Sequence, residues 1–251
     1  MAKGKTEKVV GRNPVYEVIR ADRRRVHKLI VAEGVVERGA LARLLALVRE
    51  VNIPIERVRR RELDQESDHH QGVAAVVDPY PYVTISDIIE SASSGGEPLL
   101  VLLLDMLQNP QNLGTLLRSA EAVGVHGVVI PKRRGVGVTR SVVSASAGAS
   151  EHLLIASDNL VRAIERLKEA GAWIMGLENL PQAQLLEEVD LSGAIGLVVG
   201  NEGQGMRRLV RQSCDHLIRL PMRGQINTLN AAVAGSLALY SIWKVRSYCG
   251  G

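Results

Sequence analysis

Residues 99–105 read LLVLLLD, a continuous apolar run closed by an acid. The helix-starting pair Asn109-Pro110 follows, and beyond it leucines and alanines recur at helical spacing. The same succession repeats to the end of the chain. GVVIP (127–131), LLIAS (153–157), WIMGLE (173–178), IGLVVG (195–200) and LIRLPM (217–222) are strand-length runs of Val, Ile and Leu, interleaved with helical patterns. Strands apolar on both faces must be covered on both faces, so this alternation predicts an α/β fold with a mostly parallel sheet. Ligands in such sheets bind beyond the carboxyl ends of the strands, where this chain keeps its least ordinary residues.

The first third reads differently. NPVYEVIRADRRR predicts a helix opened by Asn-Pro, VHKLIVAEG a strand ended by Gly34, GALARLLALVREVN a second helix and GVAAVVD a short buried strand. RRRELDQESDHHQG (59–72) reads as a polar loop. The Pro-, Ser- and Gly-rich stretch 78–98 reads as a linker with one helical turn at SDIIES. The expected organisation is a compact α/β module over residues 1–78, a linker over 79–97 and a larger α/β domain over 98–251.

Charge separates the two modules. Residues 1–78 hold 16 Lys and Arg against 12 Asp and Glu, and the remainder holds 15 of each. A basic module joined to a neutral one suits a phosphate-rich partner or, more plainly, a solvated basic surface. With no Phe and 3% aromatic residues, the core must be aliphatic, and aromatic base-stacking platforms are not expected. No apolar run is long enough to span a membrane, and the N-terminus lacks the apolar block of a signal peptide. Cys214 and Cys249 fit no metal spacing or disulfide framework. The expectation is a cytoplasmic protein without metal, its histidines (His69, His70, His126) solvated.

Three strand ends carry candidate chemistry. In NPQNLGTLLRSAEAVG (109–124), Leu113, Leu116, Leu117 and Ala120 share one helix face and Arg118 projects away from it, near Gly114. Taken alone, Arg118 is an ordinary solvated charge and Asn112 an N-cap. In IGLVVGNEGQGMRR a buried strand meets Gly200, Gly203 and Gly205, a spacing that fits neither a P-loop nor a dinucleotide fingerprint. Glu202 within it would repel a diphosphate and favour a positively charged nucleoside such as S-adenosylmethionine. An ordinary Gly-rich turn accounts for the segment equally well. In LIRLPMRGQINTLNAAVAGSLALY, Thr228 is placed to cap an Ala- and Gly-rich helix.

Together and in this order, NPQNLGTLLRSAEAVG, VVGNEGQGMRRLVRQSCD and IRLPMRGQINTLNAAVA resemble the three motifs of the SpoU (TrmH) family of RNA ribose 2′-O-methyltransferases, in the SPOUT superfamily. The resemblance covers residues 99–246, and the N-terminal module is similar to the family's ribosomal-protein-like substrate-binding domain. It implies a C-terminal trefoil knot, S-adenosyl-L-methionine as cofactor, an RNA substrate and a homodimer with the active site near the subunit interface. It places catalytic roles on Arg118, Glu202, Asn112 and Asn230, with Glu202 and Asn112 orienting Arg118. Cofactor contacts fall on Gly176, Gly200, Leu220, Met222 and Leu229. One departure is Thr228-Leu229-Asn230, where the family commonly has Ser-Leu-Asn. The organisation is most similar to 23S rRNA guanosine-2′-O-methyltransferases, and the run RADRRR (20–25) is the expected RNA contact. The alternatives are a tRNA target, a non-catalytic ribosome-associated RNA-binding protein, or a nicotinamide-dependent oxidoreductase, which the missing fingerprint disfavours.

Overall fold

Residues 6–225 and 228–246 are described by the computed structural model, and the chain divides into two units. Cys249 lies outside the described residues. The first unit begins with β1 (Glu7–Val10), α1 (Arg12–Ala21), β2 (Val26–Ala32), α2 (Ala40–Glu50), β3 (Ile55–Val58), α3 (Arg60–Asp64) and β4 (Val73–Val77). Its sheet has the order β1-β4-β2-β3, antiparallel except for the β2–β3 pair. The helices are where the leucine and valine spacing put them: α1 buries Val15, Val18 and Ile19, and α2 buries Leu41, Leu44, Leu45 and Val48.

Two elements escaped the sequence pattern because they are edge strands with little to bury. In β1 only Val9 and Val10 are buried, and β3 is largely exposed. The polar stretch 59–72 holds α3, and His70 within it is not solvated. It is buried, bonded through Nε2 to Asp64 at 2.8 Å, while Nδ1 accepts the Gly72 amide at 2.8 Å. His126 is likewise structural. Its Nδ1 accepts the Leu100 amide at 3.0 Å, and burial pulls its pKa below the ordinary histidine value.

The second unit starts at Tyr82. Its first element is α4 (Ile85–Gly95), a helix of three turns in the segment read as a linker. Thr84 caps it reciprocally with Asp87, and Ile85, Ile88 and Ala92 enter the core. The Thr-x-x-Asp box and one apolar face outweigh the Ser and Gly content. Next come β5 (Leu100–Leu104), α5 (Pro110–Ala122) and β6 (Gly127–Pro131).

The chain then returns to the first unit for residues Val138–His152. By sequence this stretch falls within the expected domain over 98–251, and its run SVVSASAGASE predicts one helix. Instead α6 (Arg140–Ala145) stops before Ala147 and Gly148, both at positive φ, and a 3-10 turn follows at Ala149–His152. Glu151 fixes its allegiance. Its carboxylate accepts Arg24 Nε at 3.0 Å and Nη2 at 2.7 Å, with both side chains almost wholly buried. The Tyr80 hydroxyl donates to Ser150 O at 2.8 Å, and His152 pairs with Glu17 at 2.8 Å.

Back in the second unit, β7 (Ile155–Asp158), α7 (Leu160–Glu169), β8 (Trp173–Leu177), β9 (Gln184–Leu185), β10 (Ile195–Val199), α8 (Arg208–Ser213), β11 (His216–Arg219) and α9 (Ala231–Val245) complete the fold. The seven strands, ordered β7-β6-β5-β10-β8-β11-β9, are parallel throughout. No described helix is long and apolar enough to cross a membrane.

Candidate active site

The carboxyl ends of β8, β10 and β11 open on a cavity of about 300 Å³. The loop after β10 forms one wall and is held in shape by its own amides. Asn201 and Gly205 exchange backbone hydrogen bonds at 3.1 and 2.9 Å, and Asn201 Oδ1 accepts the Gly203 amide at 2.9 Å. Glycine is required at both ends of this hairpin. A Cβ on Gly200 would lie 2.5 Å from the Gly205 carbonyl carbon, and Gly205 sits at φ 65 against the Glu178 carboxylate. The hairpin is tied to the end of β5. Asn201 Nδ2 donates to Met106 O at 3.0 Å, while the fully buried Asp105 accepts both the amide and Nε of Arg207 at 2.7 Å.

Four of the five residues assigned to the cofactor line this cavity: Gly200, Leu220, Met222 and Leu229. Gly176 does not. It lies inside β8, where a Cβ would strike Met206, Cys214 and Leu217, so its lack of a side chain serves packing. The strand's next residues, Leu177 and Glu178, reach the cavity instead. Glu178 was not foreseen. Arg211 clamps it bidentately at 2.6 Å, a bond that also holds the guanidinium more firmly protonated. Burial pushes the nearby Cys214 thiol up to about 12, which keeps it an uncharged packing group.

At the mouth, three distant segments meet on one carboxylate oxygen. Glu202 Oε1 accepts Asn112 Nδ2 at 2.6 Å, also accepts Asn230 Nδ2, and lies 3.3 Å from the Ala231 amide. Asn230 Nδ2 further donates to Asn112 Oδ1 at 3.2 Å. Two capping assignments change accordingly. Asn109, not Asn112, caps α5, which leaves the Asn112 amide free for Glu202. Asn230, not Thr228, caps α9, its Oδ1 accepting the amides of Ala232 and Val233 at 2.9 and 3.2 Å.

Arg118 is the exception among the predicted catalytic groups. It stands on the exposed face of α5, outside the cavity lining, with no hydrogen-bond or ion-pair partner among the described residues. Glu202 and Asn112, expected to orient it, bond to each other and to Asn230 instead. The opposite face of α5 packs on α9, where Ser119 Oγ meets Ser236 Oγ at 2.7 Å and Leu116 lies against Gly235.

The walls define what the cavity can hold. They are backbone and aliphatic groups with the uncharged polar side chains of Asn179, Asn201, Gln204 and Thr228, two carboxylates already engaged and one guanidinium, Arg219, whose Nε donates to Ala183 O at 3.0 Å. Such walls suit an uncharged or positively charged nucleoside and offer little to a diphosphate. Among the described residues no group of three or more His, Cys, Asp or Glu could hold a metal ion.

Comparison with known proteins places the chain. The SpoU rRNA methylase family matches residues 99–240, and the RNA 2′-O ribose methyltransferase substrate-binding family matches residues 8–83. YacO of Bacillus subtilis (strain 168), named for the TrmH family of tRNA/rRNA methyltransferases, is 41% identical over 244 residues, covering 96% of this chain and 97% of that protein. A TrmH-family protein of Staphylococcus aureus (strain COL) is 40% identical over 242 residues, covering 95% and 96%. Among solved structures, the SpoU methyltransferase AviRb from Streptomyces viridochromogenes, determined in complex with AdoMet, superposes with a TM-score of 0.78 at 24% identity, covering 98% of this chain and 92% of that one. At that identity the likeness is one of fold. With the methylase family matched over more than half of the chain and curated relatives aligned over nearly all of it, the chain belongs to the SpoU rRNA methylase (TrmH) family.

Proposed function

We propose that this protein methylates a ribose 2′-hydroxyl of structured RNA using S-adenosyl-L-methionine, with a guanosine of 23S rRNA as the target. The observation that carries the reading is the convergence of Asn112, Glu202 and Asn230 at the mouth of a cavity lined by Gly200, Leu220, Met222 and Leu229. The AdoMet of the AviRb structure and the substrate-binding family over residues 8–83 support the same cofactor and polymer. The C-terminal trefoil knot and the ribosomal-protein-like first domain expected of the family belong to this proposal.

Bound in the cavity, S-adenosyl-L-methionine supplies an electrophilic methyl group on a positively charged sulfur. The residues fit it: amides of the 200–205 loop and aliphatic walls for an adenosine, and no phosphate cradle. The chain must align the ribose oxygen and manage its proton. Asn112 and Asn230, held through Glu202, fix the floor on which the ribose rests. Arg118, which lies outside this chain's cavity lining, would reach the 2′-oxygen of a second subunit's site in the proposed homodimer. A guanidinium holds its proton strongly, so it would stabilise the developing alkoxide while a substrate phosphate or water takes the 2′-hydroxyl proton and the sulfur leaves as a neutral thioether.

An exposed stripe on α9 supports the homodimer. Val233, Leu237 and Tyr240 recur at i, i+4 and i+7 with 44–48% of their surface open. A second copy seated there would bring another subunit's groups to the mouth of the cavity. The RNA contact expected at residues 20–25 is narrower than its sequence suggested. Arg24 is buried against Glu151, and Arg23 donates to the Tyr80 hydroxyl and to the carbonyls of Glu151 and Pro81, leaving Arg20 and Arg25 exposed.

The test is transfer of a labelled methyl group to a 23S rRNA transcript and to bulk tRNA, followed by mapping of ribose methylation. One 2′-O-methylguanosine in the rRNA is the expected product. Label confined to tRNA overturns the target, and cofactor binding with no label in either RNA leaves a non-catalytic RNA-binding protein. A second measurement isolates the mouth cluster. Asn230→Ser keeps a capping oxygen but removes the amide donor, so unfolding should change by less than about 0.5 kcal/mol while turnover falls about tenfold or more. Equal turnover in the variant would remove Asn230 from the site.

A further inference from the structure

The loop after β6 carries three consecutive cations, Lys132, Arg133 and Arg134. Lys132 is engaged, its Nζ 3.4 Å from Asp158. Arg133 and Arg134 are exposed, and neither has a partner among the described residues. The loop beneath them is fixed. Val136 N donates to Leu107 O at 2.9 Å, and Lys132 N donates to Asp158 O at 3.3 Å. Gly135 is pressed so closely on Pro131 that a Cβ there would lie 2.7 Å from the proline ring. Arg134 is held at φ 63, a conformation that costs a residue with a Cβ about 1 kcal/mol. Two adjacent like charges on a strained, anchored loop gain nothing from the fold itself.

Their position supplies the reason. The loop leaves the carboxyl end of β6, and its Leu107 anchor lies in the turn that leads to Asn109 and α5. β6 pairs with β5 and β5 with β10, whose end opens on the cavity. The loop therefore stands two strand spacings, about 10 Å, from the strand that carries the 200–205 hairpin. A ribose delivered to that cavity arrives with phosphates on both sides. Planar guanidinium forks bind phosphate oxygens in pairs.

We infer that Arg133 and Arg134 form a phosphate-binding site for the substrate RNA strand flanking the methylated ribose. This assignment rests on the RNA reading above and adds a polymer contact on the catalytic unit itself, separate from the basic first module.

The experiment uses the full chain. Arg133→Gln with Arg134→Asn removes two charges, and Asn tolerates the left-handed backbone. Arg166→Glu on the exposed side of α7 changes net charge by the same amount. Binding to a 23S rRNA transcript is measured across a salt series, and S-adenosyl-L-methionine binding is measured by calorimetry. The double variant should lose about tenfold in RNA affinity, and its log–log salt slope should shrink by roughly 1–2, with cofactor affinity unchanged. Arg166→Glu should leave both near wild type. Wild-type RNA affinity and slope in the double variant overturn the loop assignment alone, as does an equal loss from Arg166→Glu. A wild-type chain that does not bind the transcript overturns the RNA reading and the loop assignment together.

Discussion

Arg118→Ala should lower methyl transfer by about 10²–10⁴-fold while leaving S-adenosyl-L-methionine affinity within about twofold. The second half of that expectation comes directly from the geometry: Arg118 does not line the cavity. The first half depends on where its guanidinium acts, because within one chain it has no partner among the described residues. Under the proposed homodimer, a charged group left free on a helix face beside α9 would serve a site completed by a second subunit. Mixing separately inactive Arg118→Ala and Glu202→Ala chains tests this. If the arginine acts across the interface, one site in each mixed dimer is intact, and activity returns to roughly a quarter of wild type. No recovery would mean that Arg118 serves its own chain's cavity. Arg118→Lys separates charge from geometry. Partial activity fits alkoxide stabilisation, whereas no activity at any pH shows that a point charge is not enough. Near-normal turnover in Arg118→Ala would remove the residue from the mechanism altogether.

The second large effect concerns stability. Arg24→Met leaves Glu151 buried without its bidentate partner and should destabilise the first unit by about 3–5 kcal/mol at neutral pH. The combined Arg24→Met, Glu151→Leu chain should recover most of that loss or exceed wild type, since well-packed apolar groups avoid the desolvation penalty of the ion pair. Burial pushes the Glu151 carboxyl above its ordinary 4.5, with Arg24 opposing the shift. The sign follows. A raised folded value means that the folded state binds the proton more tightly, so the group's contribution is full below 4.5 and is lost as pH climbs through the folded value. The stability of the double variant minus that of wild type should therefore rise from pH 4 to pH 7. Denaturant titrations of the three chains at both pH values check this, and a difference that falls instead would show that Arg24 outweighs burial.

The sheet was legible because its strands are apolar on both faces, a pattern that few other folds produce. Asn112, Glu202 and Asn230 were named together by the family resemblance, and the hydrogen bonds they share join the starts of α5 and α9 to the loop after β10. Other features depended on partners that sequence spacing does not reveal. Glu151 belongs to the first unit because of an arginine 127 residues earlier. Arg23 and Arg24 looked like RNA contacts until Tyr80, Pro81 and Glu151 accounted for them. Gly176 came to the cofactor set from the family resemblance; in this chain it lies outside the cavity lining and packs against Cys214 and Leu217, which has no local signature in the sequence. The Asn230 cap was misread as Thr228 because either side chain can start the same helix. The linker hid α4 behind its serines, although Thr84 and Asp87 marked its start.

The return of residues 138–152 to the first unit also sets an order of assembly on the ribosome. Domains usually fold as they emerge, amino end first. Here the opening 81 residues leave the tunnel lacking the segment that gives Arg24 its buried counter-charge. At 5–20 residues per second, the 71 residues from 82 to 152 take roughly 4–14 s to appear. Through that interval Arg24 has only the partly exposed Glu7 and the Asp78 carbonyl as partners, and the amino-terminal portion waits, unfinished, for the segment that carries Glu151.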